Sequence, residues 1–307
     1  MWELNSSSAD QLPLVSPLVS IVTPCLNFAR FIEETLQSVA AQDYPNLEHI
    51  VVDGGSTDGT LEILARYPNV TVLTGRDRGA ADAINRGFDR SHGEFFTWLN
   101  ADDLLLPGAI RAAVEALQNA PDAGGVYGEG RWIDERGARL DVYPTRDFDA
   151  RLLERECFIC QPASVMRSEA FLDSGRLNPD FDLTFDYELW MRLTRKHTLK
   201  RISTPMAYSR MHQSNKSLGQ RDGVFRETFQ VLRLHYGYVP FHWIYGYACY
   251  LADKRDQFFE PLQPSVARYL RSLPMGLSLN HGARMRYFAE WLSVMSWSGL
   301  RRRLINP

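Results

Sequence analysis

The 307-residue chain lacks any apolar stretch approaching the ~18 residues that would span a bilayer as a helix. The nearest run, Phe241 to Leu251, is too short and contains His242. Cysteine is scarce, with four in all: Cys25, Cys157, Cys160 and Cys249. Cys157 and Cys160 form a C-x-x-C, but no second ligand pair stands at zinc-binding spacing. A redox motif would want a helix N-terminus, whereas Phe158 and Ile159 read as strand core. These thiols are therefore expected to be buried and reduced, a usage that fits the cytosol. The net charge of −3 gives no reason to expect a nucleic-acid partner. No G-x-G-x-x-G and no P-loop lysine occurs, which removes support from dinucleotide and P-loop readings. The first 17 residues are polar and Pro-containing, with no basic flank before an apolar run, and read as a flexible leader rather than a signal peptide. No internal repeat or low-complexity segment is visible.

What is present is ordinary for a globular protein: 45% hydrophobic and 23% charged residues. The length suits one α/β catalytic domain plus a smaller appendage. Leu18–Thr23 is a short β-rich run ended by Pro24, and Phe31, Thr35, Leu36 and Val39 then recur at helical spacing. Leu47–Val52 is the next strand, followed by a helix starting near Thr57–Asp58. Val70–Leu73 is the third strand, Ala80–Phe88 a helix, Glu94–Leu99 the fourth strand, and Pro107 marks a further helix start. This β-α alternation predicts a mainly parallel sheet covered on both faces. Ligands in such sheets sit beyond the carboxyl ends of the strands, and Pro24–Asn27, Asp53–Ser56 and Asn100–Asp103 cluster there. From about Gly124 the pattern changes to short strands with Gly and Asp turns, then a helix over Asp186–Arg195. After Asp222 the chain reads as helices rich in aromatic residues.

Asn100–Ala101–Asp102–Asp103 follows the apolar run Phe95–Leu99. Acids at the end of a buried strand are costly unless compensated, and a divalent cation completed by a diphosphate would compensate them. A helix N-cap pair is the competing reading. Asp53–Gly54–Gly55–Ser56 is a glycine turn between strand and helix that permits close backbone approach of a ligand, or else simply a tight turn.

Four motifs together resemble family 2 glycosyltransferases, inverting enzymes of GT-A fold: Val19–Asn27, Asp53–Thr60, Asp82–Gly87 and Leu99–Asp103. The resemblance covers roughly residues 18 to 215. It implies a GT-A catalytic domain over 18–220, with a nucleotide-sugar half (18–123) and an acceptor half (124–220), then a helical extension over 221–307. It implies that Pro24, Leu26 and Asp53 form the nucleoside-binding edge, with Asp53 on the base. Asp102 would be the second carboxylate of the D-x-D motif and hold Mn²⁺ or Mg²⁺. Asn100 stands where an aspartate is usual, and Gly54 where many members carry a second aspartate.

Phe185–Arg192 resembles the family's catalytic-base motif, with Asp186 at the base position and Phe185 where an acid is usual. Inverting transfer needs one carboxylate to take the acceptor's proton. Glu188 is the next candidate and, with Gln161 of Gln161–Val165, falls on the acceptor side. Arg210–Ser214 resembles the segment whose histidine reaches the metal or diphosphate; His212 is that candidate, with a structural histidine as the alternative. Arg76, Arg78 and Arg86 flank the third motif, and Arg78 is best placed for the diphosphate.

The resemblance thus implies transfer of a sugar from a nucleoside diphosphate, UDP favoured, to a hydroxyl of a glycan or lipid-linked glycan in bacterial surface polysaccharide synthesis. A GT-A-like binding protein without catalysis is the alternative. A nucleotidyltransferase would want a Gly-rich basic loop near the N-terminus, which Pro24–Asn27 does not supply. Residues Gln263–Pro307 carry seven arginines and one acid, Glu290. Phe288, Trp291, Leu292 and Met295 fall on one helical face. That combination points to peripheral contact with the inner face of the cytoplasmic membrane, or to a helix packed on the catalytic domain.

Overall fold

The computed structural model describes residues 16–255 and 262–294. The first half alternates as expected: β1 (Val19–Cys25), α1 (Ile32–Ala40), β2 (Leu47–Asp53), α2 (Thr60–Leu64), β3 (Val70–Thr74), α3 (Ala80–Phe88) and β4 (Phe95–Trp98). All seven residues of β1 and all four of β4 are buried, so these strands are covered on both faces. On α1, Ile32, Thr35, Leu36 and Val39 form the buried stripe that seats it on the sheet. At the close crossing of α3 over β1, a Cβ on Gly87 would fall 2.4 Å from Val22 Cγ1, so only glycine fits.

The second half comprises β5 (Leu104–Leu105), α4 (Ala109–Gln118), β6 (Ala123–Ile133), β7 (Arg139–Val142), β8 (Ser164–Arg167), α5 (Ser168–Asp173), α6 (Phe185–Leu193) and β9 (Thr198–Arg210). The sheet order is β3-β2-β1-β4-β8-β6-β9-β5, with β7 on β6. Pairing is parallel from β3 through β4 and between β6 and β9, and antiparallel where β8, β7 and β5 join. The parallel sheet read from the sequence is therefore confined to the first half of the domain, and the second half is mixed.

Several local expectations are corrected. The strands after Gly124 are not all short: β6 runs 11 residues and β9 runs 13. Gly124, Gly125, Gly128 and Gly130 lie inside β6, where they looked like turns, and they let neighbouring chains approach; a Cβ on Gly130 would overlap Cys160 Sγ. Phe158 and Ile159 are fully buried but lie in a loop, not a strand. That loop is held by Tyr143, whose hydroxyl donates to the Cys157 carbonyl. Helix α2 starts three residues later than expected because Gly59, at φ +97°, precedes it.

The chain ends in α7 (Lys216–Gly219), α8 (Arg221–Tyr236), α9 (Phe241–Asp253), α10 (Val266–Leu279) and α11 (Arg284–Ser293). One apolar cluster runs from Tyr187, Leu189 and Trp190 of α6 through Phe225, Phe229 and Leu232 of α8 to Phe241, Tyr269, Tyr287 and Trp291. The boundary expected at residue 220 is therefore crossed by a continuous core. Most of the leader expected over 1–17, and Met295 with the last three arginines, lie outside the described residues. No helix among the described residues is long and apolar enough to cross a membrane.

Candidate functional site

The carboxyl ends of β1 and β2 lie in register, Cys25 beside Asp53. The loops that follow are laced together. Asn27, itself at φ +60°, donates its N–H to Ser56 Oγ at 2.8 Å, and Thr57 N–H donates to Asn27 Oδ1 at 2.9 Å. Phe28 N–H donates to Thr60 Oγ1, and Ala29 N–H to Asp58 Oδ2. Asp53 is fully buried at the floor of this cradle. Its Oδ2 accepts from Gly55 N–H and Ser56 N–H, both at 2.9 Å, while its Oδ1 is buried with no hydrogen-bond partner among the described residues. An orphaned buried acceptor is costly and wants a donor. Pro24 is buried just below, and Leu26, half exposed, stands at the rim. Gly54 is open for a reason: a Cβ there would lie 2.7 Å from Asp77 Oδ2. Asp77 thus brings a carboxylate beside the position where the sequence lacks one.

Past the end of β4, the turn Asn100–Asp103 is built around two buried acids. Asp102 Oδ2 lies 3.0 Å from His212 Nε2, beyond the end of β9. The His212 ring packs on Phe31, centroids 4.8 Å apart. Asp103 accepts from Arg210 N–H at 2.8 Å and from Asn100 Nδ2 at 3.1 Å. Burial and, next, the neighbouring Asp102 hold the Asp103 carboxyl well above the usual carboxylate range. Arg210, 1% exposed, donates Nε–H to the Asp102 carbonyl and pairs with Glu34 at 2.7 Å while packing on the Phe31 ring. It fixes the acidic turn against β9 and α1. Gln161 is buried, donating to the Trp98 carbonyl at 2.7 Å, with its Oε1 3.5 Å from Asn100 Nδ2.

The helix-cap reading of Asp102 and Asp103 does not hold: α4 begins at Ala109 behind Gly108, with no side-chain cap. Asp186 likewise does not cap α6, whose N-cap is Thr184. Its Oδ1 accepts from its own neighbour, Tyr187 N–H, at 2.8 Å. Burial pushes its pKa up to about 6. Trp98 ties α6 to β4: it stacks on Trp190 at 6.0 Å and meets Phe185 at 6.2 Å. Phe185 is therefore core, which is why an acid does not stand there. Cys160, between the two groups, has its thiol pushed up by burial, then by Asp103, and also by Asp186. Cys157 is raised chiefly by burial too, so the C-x-x-C is inert rather than nucleophilic.

Two expected site residues turn elsewhere. Glu188, two positions from Asp186, is buried in a bidentate pair with Arg192 (2.6–2.9 Å) and a bond to His235 at 2.9 Å. Its carboxylate is satisfied by packing partners, so the acceptor-side reading is corrected. Arg78 is largely exposed and pairs with Asp82 at 3.1 Å instead of converging with the acids. Arg86 braces the same loop by donating to the Gly75 and Arg76 carbonyls.

Sequence reading missed Glu227. From α8 its carboxylate accepts the backbone N–H groups of Asp182, Leu183 and Thr184 at 2.8–3.1 Å and the Thr184 hydroxyl at 3.2 Å. It therefore anchors the start of the helix that carries Asp186. Nothing local signals this, because the partners lie more than 40 residues away.

A profile described as Glycosyl transferase family 2 matches residues 20–175. An uncharacterized glycosyltransferase of Rickettsia conorii is 30% identical over 217 residues, 67% of this chain and 36% of that protein. The chondroitin synthase of Escherichia coli is 26% identical over 221 residues, 70% of this chain and 32% of that protein. The chain thus spans about a third of the length of these relatives. Among solved structures, Staphylococcus aureus TarS 1-349 in complex with UDP superposes with a TM-score of 0.63 at 16% identity, covering 93% of this chain and 87% of that one. That likeness shows the GT-A type of fold. With half the chain matched, from β1 through α5, the protein belongs to glycosyl transferase family 2.

Proposed function

We propose that this chain transfers a sugar, with inversion, from a nucleoside diphosphate to a hydroxyl of a glycan or lipid-linked glycan. The observation that carries the proposal is the separation of two carboxylate environments on elements locked together by Trp98. Asp102 sits in a polar turn against His212, while Asp186 sits in an apolar setting that raises its pKa to about 6. Carboxylates held in such different surroundings serve different roles.

The orphaned Oδ1 of Asp53 suits the N3–H of uracil, and the complex of TarS with UDP supports a uridine donor. Asp102 and His212, 3.0 Å apart, are the residues that would hold a divalent cation, whose charge would offset that of a donor diphosphate. When bound, the cation would neutralise charge developing on the leaving diphosphate. Asp186 accepts the proton of the acceptor hydroxyl as its oxygen bonds to the anomeric carbon. The bond from that carbon to the diphosphate oxygen breaks on the opposite face, and the nucleoside diphosphate departs. The similarity to a chondroitin synthase supports a polysaccharide acceptor.

A donor-hydrolysis screen across UDP-, GDP- and dTDP-sugars with Mn²⁺ or Mg²⁺ tests this reading. UDP-sugars should turn over, and only with metal. Binding of donor without turnover under any condition would instead leave a nucleotide-sugar or glycan binding protein of the same fold.

A further inference from the structure

We propose that the outward face of the α10–α11 hairpin is a docking surface for an anionic membrane. The two helices run antiparallel: Tyr269 stacks on Trp291 at 4.4 Å, and the Tyr287 hydroxyl donates to the Ser272 carbonyl at 2.9 Å. Their inner faces carry Tyr269, Ser272, Gly276, Tyr287 and Trp291, all buried. The stripe read from the sequence is thereby split. Trp291 faces the core, whereas Phe288 and Leu292 join Met285 on the outside.

The outer face is apolar. Met285 is 78% exposed, Val266 65%, Leu270 56%, Leu292 42% and Phe288 37%. Val266 and Leu270 stand at i and i+4 of α10, and Met285, Phe288 and Leu292 at i, i+3 and i+7 of α11. Five of the eleven large apolar side chains exposed among the described residues fall on these two helices. Such clustering marks an interaction site, whereas single exposed apolar residues need no explanation.

Apart from Glu290, the charged residues of the two helices are all arginines, of which Arg268 pairs with Asp253 at 3.1 Å. Arg271 makes no ion pair among the described residues, and Arg284 contacts only the Leu277 carbonyl and His281. Arg286 lies over the Tyr238 ring at 3.7 Å and reaches Glu154 at 2.7 Å. The only acid on either helix, Glu290, turns inward to the Tyr238 hydroxyl and the Phe241 N–H. A second copy of this chain is a poor occupant. Two-fold pairing would bring Arg271 and Arg284 of both copies together with no acid from either helix to neutralise them. An anionic bilayer supplies both an apolar layer for the outer row and negative headgroups for the arginine rim. The inference rests on this surface alone and does not depend on the transferase reading.

Flotation of the full chain with vesicles tests it. The protein should float with phosphatidylcholine vesicles containing phosphatidylglycerol, not with phosphatidylcholine alone, and should be released by high salt. Met285→Ser with Phe288→Ser and Leu292→Ser should lower partitioning about tenfold or more, as should Arg271→Glu with Arg284→Glu. These side chains are exposed, so the melting temperature of each variant should match the parent. If the apolar triple variant melts early, the charge-reversed pair alone decides. Absence of parent binding to the anionic vesicles overturns the proposal, and so does equal binding by parent and charge-reversed protein. Dimerisation of the parent that the apolar variant abolishes would give the face to a second copy and overturn it equally.

Discussion

Replacing Asp186 with asparagine should make the protein a poorer catalyst and a more stable fold. Its carboxylate has an ordinary pKa of 3.8, which burial raises to about 6. That displacement corresponds to about 3 kcal/mol against the charged form. Because the side chain is only partly shielded from water, about 1–3 kcal/mol is the expected cost in the protein. The sign follows from the raised value. Below the unfolded pKa the group is neutral in both states, and its contribution to stability is fully present. As pH rises through about 6 the folded protein must carry a poorly solvated charge, and that stability is lost. Asparagine is neutral throughout and keeps the acceptor for Tyr187 N–H. Asp186→Asn should therefore melt higher than the parent by a few degrees, on the order of 2–6 °C, at pH 8, and no higher below pH 4. Turnover should fall by about 10²–10⁴-fold, with donor affinity nearly unchanged. In the parent, kcat should rise about tenfold per pH unit below 6 and level off above 7. Thermal scans at the two pH values, beside donor titrations and turnover, check all of this. A variant that retains turnover, or one that gains no stability at pH 8, would refute the assignment of a buried base with a raised pKa.

Asp102→Ala should abolish turnover and weaken donor binding in Mn²⁺ or Mg²⁺, while donor binding in EDTA should be the same for parent and variant; calorimetric titration with a UDP-sugar reads both. Asp53→Asn keeps an oxygen for the Gly55 and Ser56 N–H groups, so its amide nitrogen must take the orphaned position and present a donor where uracil needs an acceptor. UDP affinity should drop by about 1–3 kcal/mol, and an unchanged Kd would exclude Asp53 from the base site. Glu227→Ala strands three backbone N–H groups at the start of α6. It should destabilise the fold by about 1–3 kcal/mol and lower kcat with little change in donor KM, and Glu227→Gln should restore part of both losses. Denaturant unfolding and steady-state kinetics separate these effects.

The parallel half of the fold was legible because each element there is set locally. Strands β1 and β4 are wholly buried and β2 largely so, and together with the amphipathic helices between them they carry their own periodicity, with Asp53 and the turn holding Asp102 following apolar runs. The mixed half was less legible. The glycines of β6 mimic turns, since their purpose is close approach of Cys160, His197 and Met206, which no local pattern reveals. Arg210 ends an extended run whose periodicity says nothing of its partners, Asp102, Asp103 and Glu34, which lie 107 to 176 residues away. Glu188 looked like a spare base because, although Arg192 stands at i+4 on the same helix, His235 reaches it from α8, 47 residues away.

The departures from the family pattern acquire a physical meaning when taken together. Asn100 donates to Asp103, whose carboxyl is already pushed toward neutrality by burial and by Asp102. An aspartate at 100 would set a third carboxylate about that distance from Asp103, with Arg210 the only buried arginine or lysine among the described residues to offset it. The amide replaces that repulsion with a bond and reaches toward Gln161, which is itself fastened to the end of β4. Phe185 makes a comparable exchange, giving up an acid beside Asp186 for contact with Trp98. Both changes remove negative charge beside these acids and leave Asp102 and Asp186 as separate carboxylates, one braced by Arg210 and His212, the other by α8 through Glu227. Helix α8 is on this account tied to the site, because its Glu227 accepts the N–H groups of the residues that lead into Asp186.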